Sequence, residues 1–179
     1  MQFEFDDYII DPIHEKYAWR ICDLVTVNSD RFKRFFPVTL AQNLTPTLST
    51  YFVNQKVRQF HNKEEFLYVL KELKNRTAMG LIYIKELNWA KKQGELAYCI
   101  GYQYEGKGYV TQSVRVLSNY AFEELGLRTL QIVVHKSNHP SIRVAEKCGY
   151  IWKKTLSKAF TPPNEKPLDM ELYELDYEG

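Results

Sequence analysis

The sequence is poor in the features that mark secreted, membrane-spanning or nucleic-acid-binding chains. Its 179 residues include three cysteines, Cys22, Cys99 and Cys148, which are odd in number, far apart and in no C-x-x-C pair. That excludes a disulfide framework and suits a reducing compartment. No apolar run approaches the roughly 18 residues of a membrane-spanning helix. Met1 to Asp11 holds Glu4, Asp6, Asp7 and Asp11 and no continuous apolar stretch, so it does not read as a signal peptide. The expected location is cytoplasmic. A formal net charge of +2 gives no reason to expect a nucleic-acid or membrane partner. Repeats, low-complexity tracts and Gly/Ser linkers are also missing, so residues 1–179 read as a single domain of ordinary size.

Aromatic residues, by contrast, are abundant, at 15% with 13 Tyr and 10 Phe. They enlarge the apolar area a small domain can bury, and core packing is their ordinary use. Periodicity then orders the chain. Tyr8 to Ile10 reads as a strand, and His14 to Asn28 as a helix with Tyr17, Ile21, Leu24 and Val25 on one face. Ser29 to Thr47 reads as loop, and Leu48 to Asn62 as a second helix. Glu65–Lys71, Ala78–Glu86 and Glu95–Ile100 read as strands, the last two joined through Asn88 to Gly94. Tyr109 to Leu125 has helical spacing, with Gly126 where a helix-ending glycine belongs. Thr129–Val134 reads as a strand and Ser141–Cys148 as a short helix opened by Asn138 and Pro140 and closed by Gly149. Trp152–Leu156 and Leu168–Leu175 finish the chain as strands. The expectation is a mixed α/β (α+β) fold of about seven strands and about four helices.

The segment Glu105 to Thr111, EGKGYVT, lies between a predicted strand and a predicted helix. Gly106 and Gly108 permit a sharp turn and a close approach of backbone to ligand. The helix that follows offers unpartnered amides and the positive end of its dipole, which together suit a phosphate. It is neither a Walker loop, which needs G-x-x-x-x-G-K-[ST], nor a Rossmann fingerprint, because Thr111 stands where a third small residue is required. On local pattern alone, a tight connection without ligand explains it too.

The wider context is more specific. ELAYCIG (Glu95 to Gly101), EGKGYVTQS (Glu105 to Ser113), AFEELGL (Ala121 to Leu127), NHPSIRVAEKCGY (Asn138 to Tyr150) and DMELYEL (Asp169 to Leu175) resemble the GNAT superfamily of acyl-CoA N-acyltransferases. Within it, the likeness is to the ribosomal-protein (RimJ/RimL-like) branch. The resemblance covers about Glu95 to Leu175 and implies a central, mostly antiparallel twisted sheet flanked by helices, with acetyl-CoA as co-substrate and no metal. It departs from the family at Glu105, where Gln or Arg is usual, and at Val110, where a small residue is usual. Gln112 and Cys99 also replace the branch's Glu and Trp.

By resemblance, Cys99 and Ile100 bond the pantetheine arm through their backbones. Gly106, Lys107, Gly108, Tyr109, Val110 and Thr111 hold the pyrophosphate. Asn138 meets the end of the pantetheine, a role that competes with capping the helix it opens. Five basic residues and one acidic residue lie between Arg143 and Lys158, and Lys147 is the best placed for the remaining phosphate. Glu95 is the candidate base, against the alternative of a solvent-facing strand carboxylate. Many relatives carry a tyrosine acid where this chain has Ala145, which leaves Ser141 as the hydroxyl for the leaving thiolate. His135 and His139 do not share a helix face and complete no metal set. Cys99, without an adjacent histidine, reads as a small buried residue. The implied reaction is acetyl transfer to an amine, with a protein N-terminal α-amino group leading. A small amine (polyamine or aminoglycoside) or a catalytically weak CoA-binding module are the alternatives, and a homodimer stays open.

Overall fold

The computed structural model describes all residues from Met1 to Gly179. In chain order the elements are β1 (Phe3–Glu4), β2 (Tyr8–Pro12), α1 (Ala18–Val27), α2 (Ser29–Phe32), α3 (Pro37–Ala41), α4 (Pro46–His61), β3 (Phe66–Glu72), β4 (Ala78–Asn88), β5 (Gln93–Ile100), α5 (Tyr109–Glu123), β6 (Thr129–Val134), α6 (His139–Lys147), β7 (Ile151–Phe160) and β8 (Leu168–Asp176), with short 3-10 turns at Glu15–Tyr17 and Tyr102–Tyr104. The eight strands hydrogen-bond in the order β1-β2-β3-β4-β5-β6-β8-β7. No helix is long and apolar enough to cross a membrane. Backbone contacts divide the chain into two compact units. One comprises Met1–Tyr83 with Tyr98–Glu105, the other Ile84–Ala97 with Gly106–Gly179.

In the first unit, β2 pairs antiparallel with β3, Tyr8 opposite Glu72 through Pro12 opposite Tyr68. Each strand opens with an apolar run, Tyr8–Ile10 in β2 and Phe66–Leu70 in β3, and Ile10, Leu67, Tyr68, Val69 and Leu70 are fully buried. α1 places Ile21, Leu24 and Val25 inside at helical spacing. α4 starts at Pro46 behind Thr45, whose hydroxyl accepts from the Leu48 amide at 3.2 Å. That is a proline at the first helical position behind an N-cap, the arrangement that satisfies an otherwise orphaned donor.

Three details differ from the sequence reading. The strands number eight, because Phe3–Glu4 pairs with Ile9 and Ile10. Ser29–Thr47 is not all loop; it holds α2 and α3. Two short turns of helix give too little periodicity to recognise, yet Phe32 and Thr39 anchor them by burial. β7 also runs on to Phe160, with irregular register against β8 between Leu156 and Phe160.

In the second unit, α5 buries Ser113, Val114, Leu117, Ser118, Ala121 and Phe122. The buried Ser118 hydroxyl is satisfied by the Tyr150 hydroxyl at 2.7 Å. β6 pairs parallel with β5 and antiparallel with β8, and β8 pairs antiparallel with β7.

Candidate active site

The second unit contains a parallel pair that ends early. β5 and β6 are in register at Gln93 and Thr129, Gly94 and Leu130, and Glu95 and Gln131. The register stops there, although β6 continues through Ile132, Val133 and Val134, paired on its other side with β8.

Gly106 and Gly108 adopt φ of +70° and +84°. Residues with a side chain take this conformation at a cost, which favours glycine at both positions. A Cβ built on either would meet nothing within 4 Å. The positive φ therefore does not serve tight packing, and the turn borders open space. Gly108 is the N-cap of α5, no side chain caps that end, and the first turn holds no acidic residue. By helix geometry the first-turn amides and the positive end of the dipole point out of the N-terminal end of α5, beyond Gly108. Lys107 is exposed, and Tyr109, Val110 and Thr111 are half-buried.

α6 reaches this turn with its C-terminal end. The Cys148 thiol donates to the Thr111 carbonyl at 3.3 Å, and Arg115 Nη2 donates to the Lys147 carbonyl at 3.0 Å. Lys147 is therefore next to a residue that touches the glycine turn's helix. Arg115, the seventh residue of α5, is a second cation there. Sequence reasoning missed it because only the α5–α6 packing reveals its position. At the other end of α6, Asn138 Oδ1 accepts from the Ser141 amide at 3.4 Å, which is the capping role. Ser141 is half-buried, and Ala145 is fully buried. The His135 ring is engaged by the Ser137 hydroxyl at 2.6 Å.

Glu95 does not face solvent; its side chain is 18% exposed, with Lys85 Nζ at 3.5 Å. Burial pushes its pKa above the ordinary carboxylate range. Lys85 opposes the shift, and Glu86 adds to it. A carboxylate so displaced toward neutrality is suited to accept a proton.

The first unit holds the remaining residues. Gly80 on β4 lies so close to β5 that a Cβ would stand 2.5 Å from the Cys99 carbonyl and 3.2 Å from Ile100 Cα. Cys99 is buried, and desolvation pushes its thiol up to about 12. It is not a thiolate nucleophile at neutral pH. Beyond β5, the Gly101 amide donates to the Met79 carbonyl at 2.7 Å and the Tyr102 amide to Asn28 Oδ1 at 3.0 Å. Glu105 accepts two bonds from Arg31, Nη1 to Oε2 at 2.9 Å and Nη2 to Oε1 at 2.6 Å. Arg31 lies on α2, inside the stretch that the sequence predicts to be loop.

Among solved structures, the fold is similar to ribosomal-protein-S5-alanine acetyltransferase from Vibrio fischeri, with a TM-score of 0.91 and 18% identity over 99% of this chain and 97% of that one. It is also similar to the Microcin C7 self-immunity acetyltransferase MccE, determined with acetyl-CoA and AMP, with a TM-score of 0.86 and 22% identity over 97% of this chain and 94% of that one. Likeness at these identities shows the fold. In sequence, the chain is 36% identical over 72 residues to YdaF of Bacillus subtilis (strain 168), provisionally assigned as a ribosomal N-acetyltransferase; the match covers 40% of this chain and 39% of YdaF. It is 29% identical over 93 residues to the spermidine N(1)-acetyltransferase of Escherichia coli (strain K12), which covers 52% of this chain and 49% of that enzyme. The matches thus span half or less of these relatives' length. The family model covers far more, and residues 9–151 place the chain in the acetyltransferase (GNAT) domain family.

Proposed function

We propose that this protein is an acetyl-CoA-dependent N-acetyltransferase whose acceptor is a protein N-terminal α-amino group. The observation that carries the reading is the glycine turn at Gly106 and Gly108, open on its outer side and leading directly into the uncapped start of α5. No neighbouring atom crowds the outer side of either glycine. The acceptor is supported by the Vibrio fischeri neighbour, which acts on a ribosomal protein.

Acetyl-CoA, when bound, supplies the thioester carbonyl that the amine attacks. The amides of Gly106 to Thr111 hold the pyrophosphate, and Lys147 meets the remaining phosphate. Cys99 and Ile100 offer backbone groups to the pantetheine, with Asn138 at its far end. Glu95 removes the proton that the amine must lose. An α-amino group with pKa of about 8 gives up that proton at a cost of about 1 to 1.5 kcal/mol at neutral pH, against about 4 to 5 kcal/mol for a lysine side chain. A carboxylate base is therefore less stretched by an α-amine than by a lysine side chain. Ser141 donates a hydrogen bond to the sulfur as the carbon–sulfur bond breaks. The acid role is assigned to it because Ala145 has no hydroxyl.

A polyamine acceptor is the second reading, favoured by the spermidine acetyltransferase relative. Calorimetric titration with acetyl-CoA, with desulfo-CoA as the control, tests the cradle. Thiol release with N-terminal peptides and with spermidine then tests the acceptor. Turnover of spermidine without turnover of any peptide would replace the first acceptor by the second, and absence of acetyl-CoA binding would remove the activity.

A further inference from the structure

Glu105 is the chain's sharpest departure from its family, a carboxylate covalently adjacent to the first glycine of the proposed phosphate cradle. Left unpaired, it would repel a pyrophosphate. In the structure it is not unpaired. Arg31 meets both carboxylate oxygens with a two-pronged guanidinium contact, at 2.9 and 2.6 Å, the geometry that makes Arg–carboxylate pairs directional. The bond holds the Glu105 carboxyl below its usual range and the guanidinium above its own.

A second contact acts on the same segment. Asn28 is buried, and its amide is used at both ends. Nδ2 donates to the Leu24 carbonyl at 2.8 Å, and Oδ1 accepts from the Tyr102 amide at 3.0 Å. Asn28 and Arg31 are three residues apart at the junction of α1 and α2. Together they grip the two ends of the connector Tyr102–Glu105, which runs from β5 to the glycine turn.

We infer that Arg31 is a positioning residue of the acetyl-CoA site. It cancels the charge of Glu105 and, with Asn28, fixes the connector that delivers the glycine turn. This rests on the proposed function, and it explains how an acidic residue is tolerated at that position. Arg31 acts through Glu105, without touching the phosphates.

The test is a two-by-two set of Arg31→Ala and Glu105→Gln variants, read by two measurements. In the ligand-free proteins, amide hydrogen exchange of residues 102–108 should accelerate in Arg31→Ala while exchange in β2 and β3 stays unchanged; unchanged exchange at 102–108 would overturn the positioning claim whether or not the protein binds acetyl-CoA. By titration, Arg31→Ala should weaken acetyl-CoA binding by about tenfold at low salt and less at high salt, as an unscreened carboxylate requires. Glu105→Gln, whose amide oxygen can still accept from Arg31, should bind at least as well as the parent, and the double variant should recover the salt-dependent part of the loss. A double variant as weak as Arg31→Ala would overturn the claim that Arg31 acts through Glu105. If the parent itself fails to bind acetyl-CoA, the proposed function falls, while the exchange measurement still decides the connector.

Discussion

Glu95 lies 3.5 Å from the Lys85 ammonium and still titrates above the ordinary carboxylate range. An ion partner at that distance would by itself pull the pKa down. Desolvation wins because the carboxylate sits on a strand face with little access to water. Burial thus favours the neutral form of Glu95, while the Lys85 ammonium favours its charged form.

The resulting pH dependence has a definite sign. A carboxylate with a raised folded-state pKa binds more protons in the folded than in the unfolded protein across the window between the two values. Stability then falls as pH rises through that window, and the cost persists above it. Glu95→Gln should melt at the same temperature as the parent or higher at neutral pH. Its turnover should nevertheless fall by about 100-fold or more, the usual contribution of a positioned base. In the parent, kcat/KM should decline on the acid side with an inflection above the ordinary carboxylate value. Lys85→Met should move the inflection higher still, because Lys85 lowers that pKa. An unchanged profile in Glu95→Gln would remove Glu95 from the mechanism.

The glycine turn separates strain from obstruction. Gly108 has φ of +84° with nothing within 4 Å of a Cβ, so Gly108→Ala pays conformational strain without a clash, about 1 to 2 kcal/mol. Asparagine tolerates the left-handed region better, and Gly108→Asn should recover much of that stability. Its side chain would still project into the open space. Acetyl-CoA affinity should therefore fall by about tenfold or more in both variants, whereas the melting temperature falls clearly only in Gly108→Ala. Equal binding by Gly108→Asn and the parent would mean that the turn holds no ligand.

How much of this the sequence disclosed depends on the range of the signal. The α5 helix and the turn before it were legible because both are local: periodic apolar residues, two glycines and a strand on the near side. β6 was recovered from Thr129 to Val134 without change, since an apolar run of β-branched residues carries its own signature. Arg31 and Arg115 were not legible. Each acquires its role through a partner 74 and 32 residues away in sequence, and an exposed arginine on a helix looks the same with or without one. α2 and α3 were missed for a related reason, because four- and five-residue helices are held by tertiary burial of Phe32 and Thr39 and not by their own periodicity. Asn138 was read as either a cap or a ligand contact, and its bond to the Ser141 amide displays the cap.

Cysteine chemistry gives a prediction that needs no acceptor. Desolvation raises the Cys99 thiol to about 12 and also raises Cys148, whose thiol is spent on the Thr111 carbonyl. Thiol-specific reagents at mildly alkaline pH should modify Cys148 before Cys99, because Cys148 is the more exposed of the two. Cys99→Ser should keep turnover within about threefold of the parent, as expected where no thiolate participates. Loss of turnover in a folded Cys99→Ser would place Cys99 among the reacting groups.

Gly80 offers the sharpest test of how β4 supports the end of β5, where the pantetheine is proposed to bind. Its missing Cβ would stand 2.5 Å from the Cys99 carbonyl oxygen and 3.2 Å from Ile100 Cα, both backbone atoms that cannot rotate away. Gly80→Ala must therefore move a strand and not a side chain. Overpacking of this kind costs about 1 to 3 kcal/mol, to be read as a lower midpoint in urea with an unchanged slope. The displaced atoms are the backbone groups that the proposed function offers to acetyl-CoA. The variant should then also raise KM for acetyl-CoA with less effect on kcat, because Glu95 is five residues from Ile100 on the same strand and keeps its own pairing with Gln131. A destabilised variant with unchanged KM would show that the end of β5 is structural and that the pantetheine is held elsewhere.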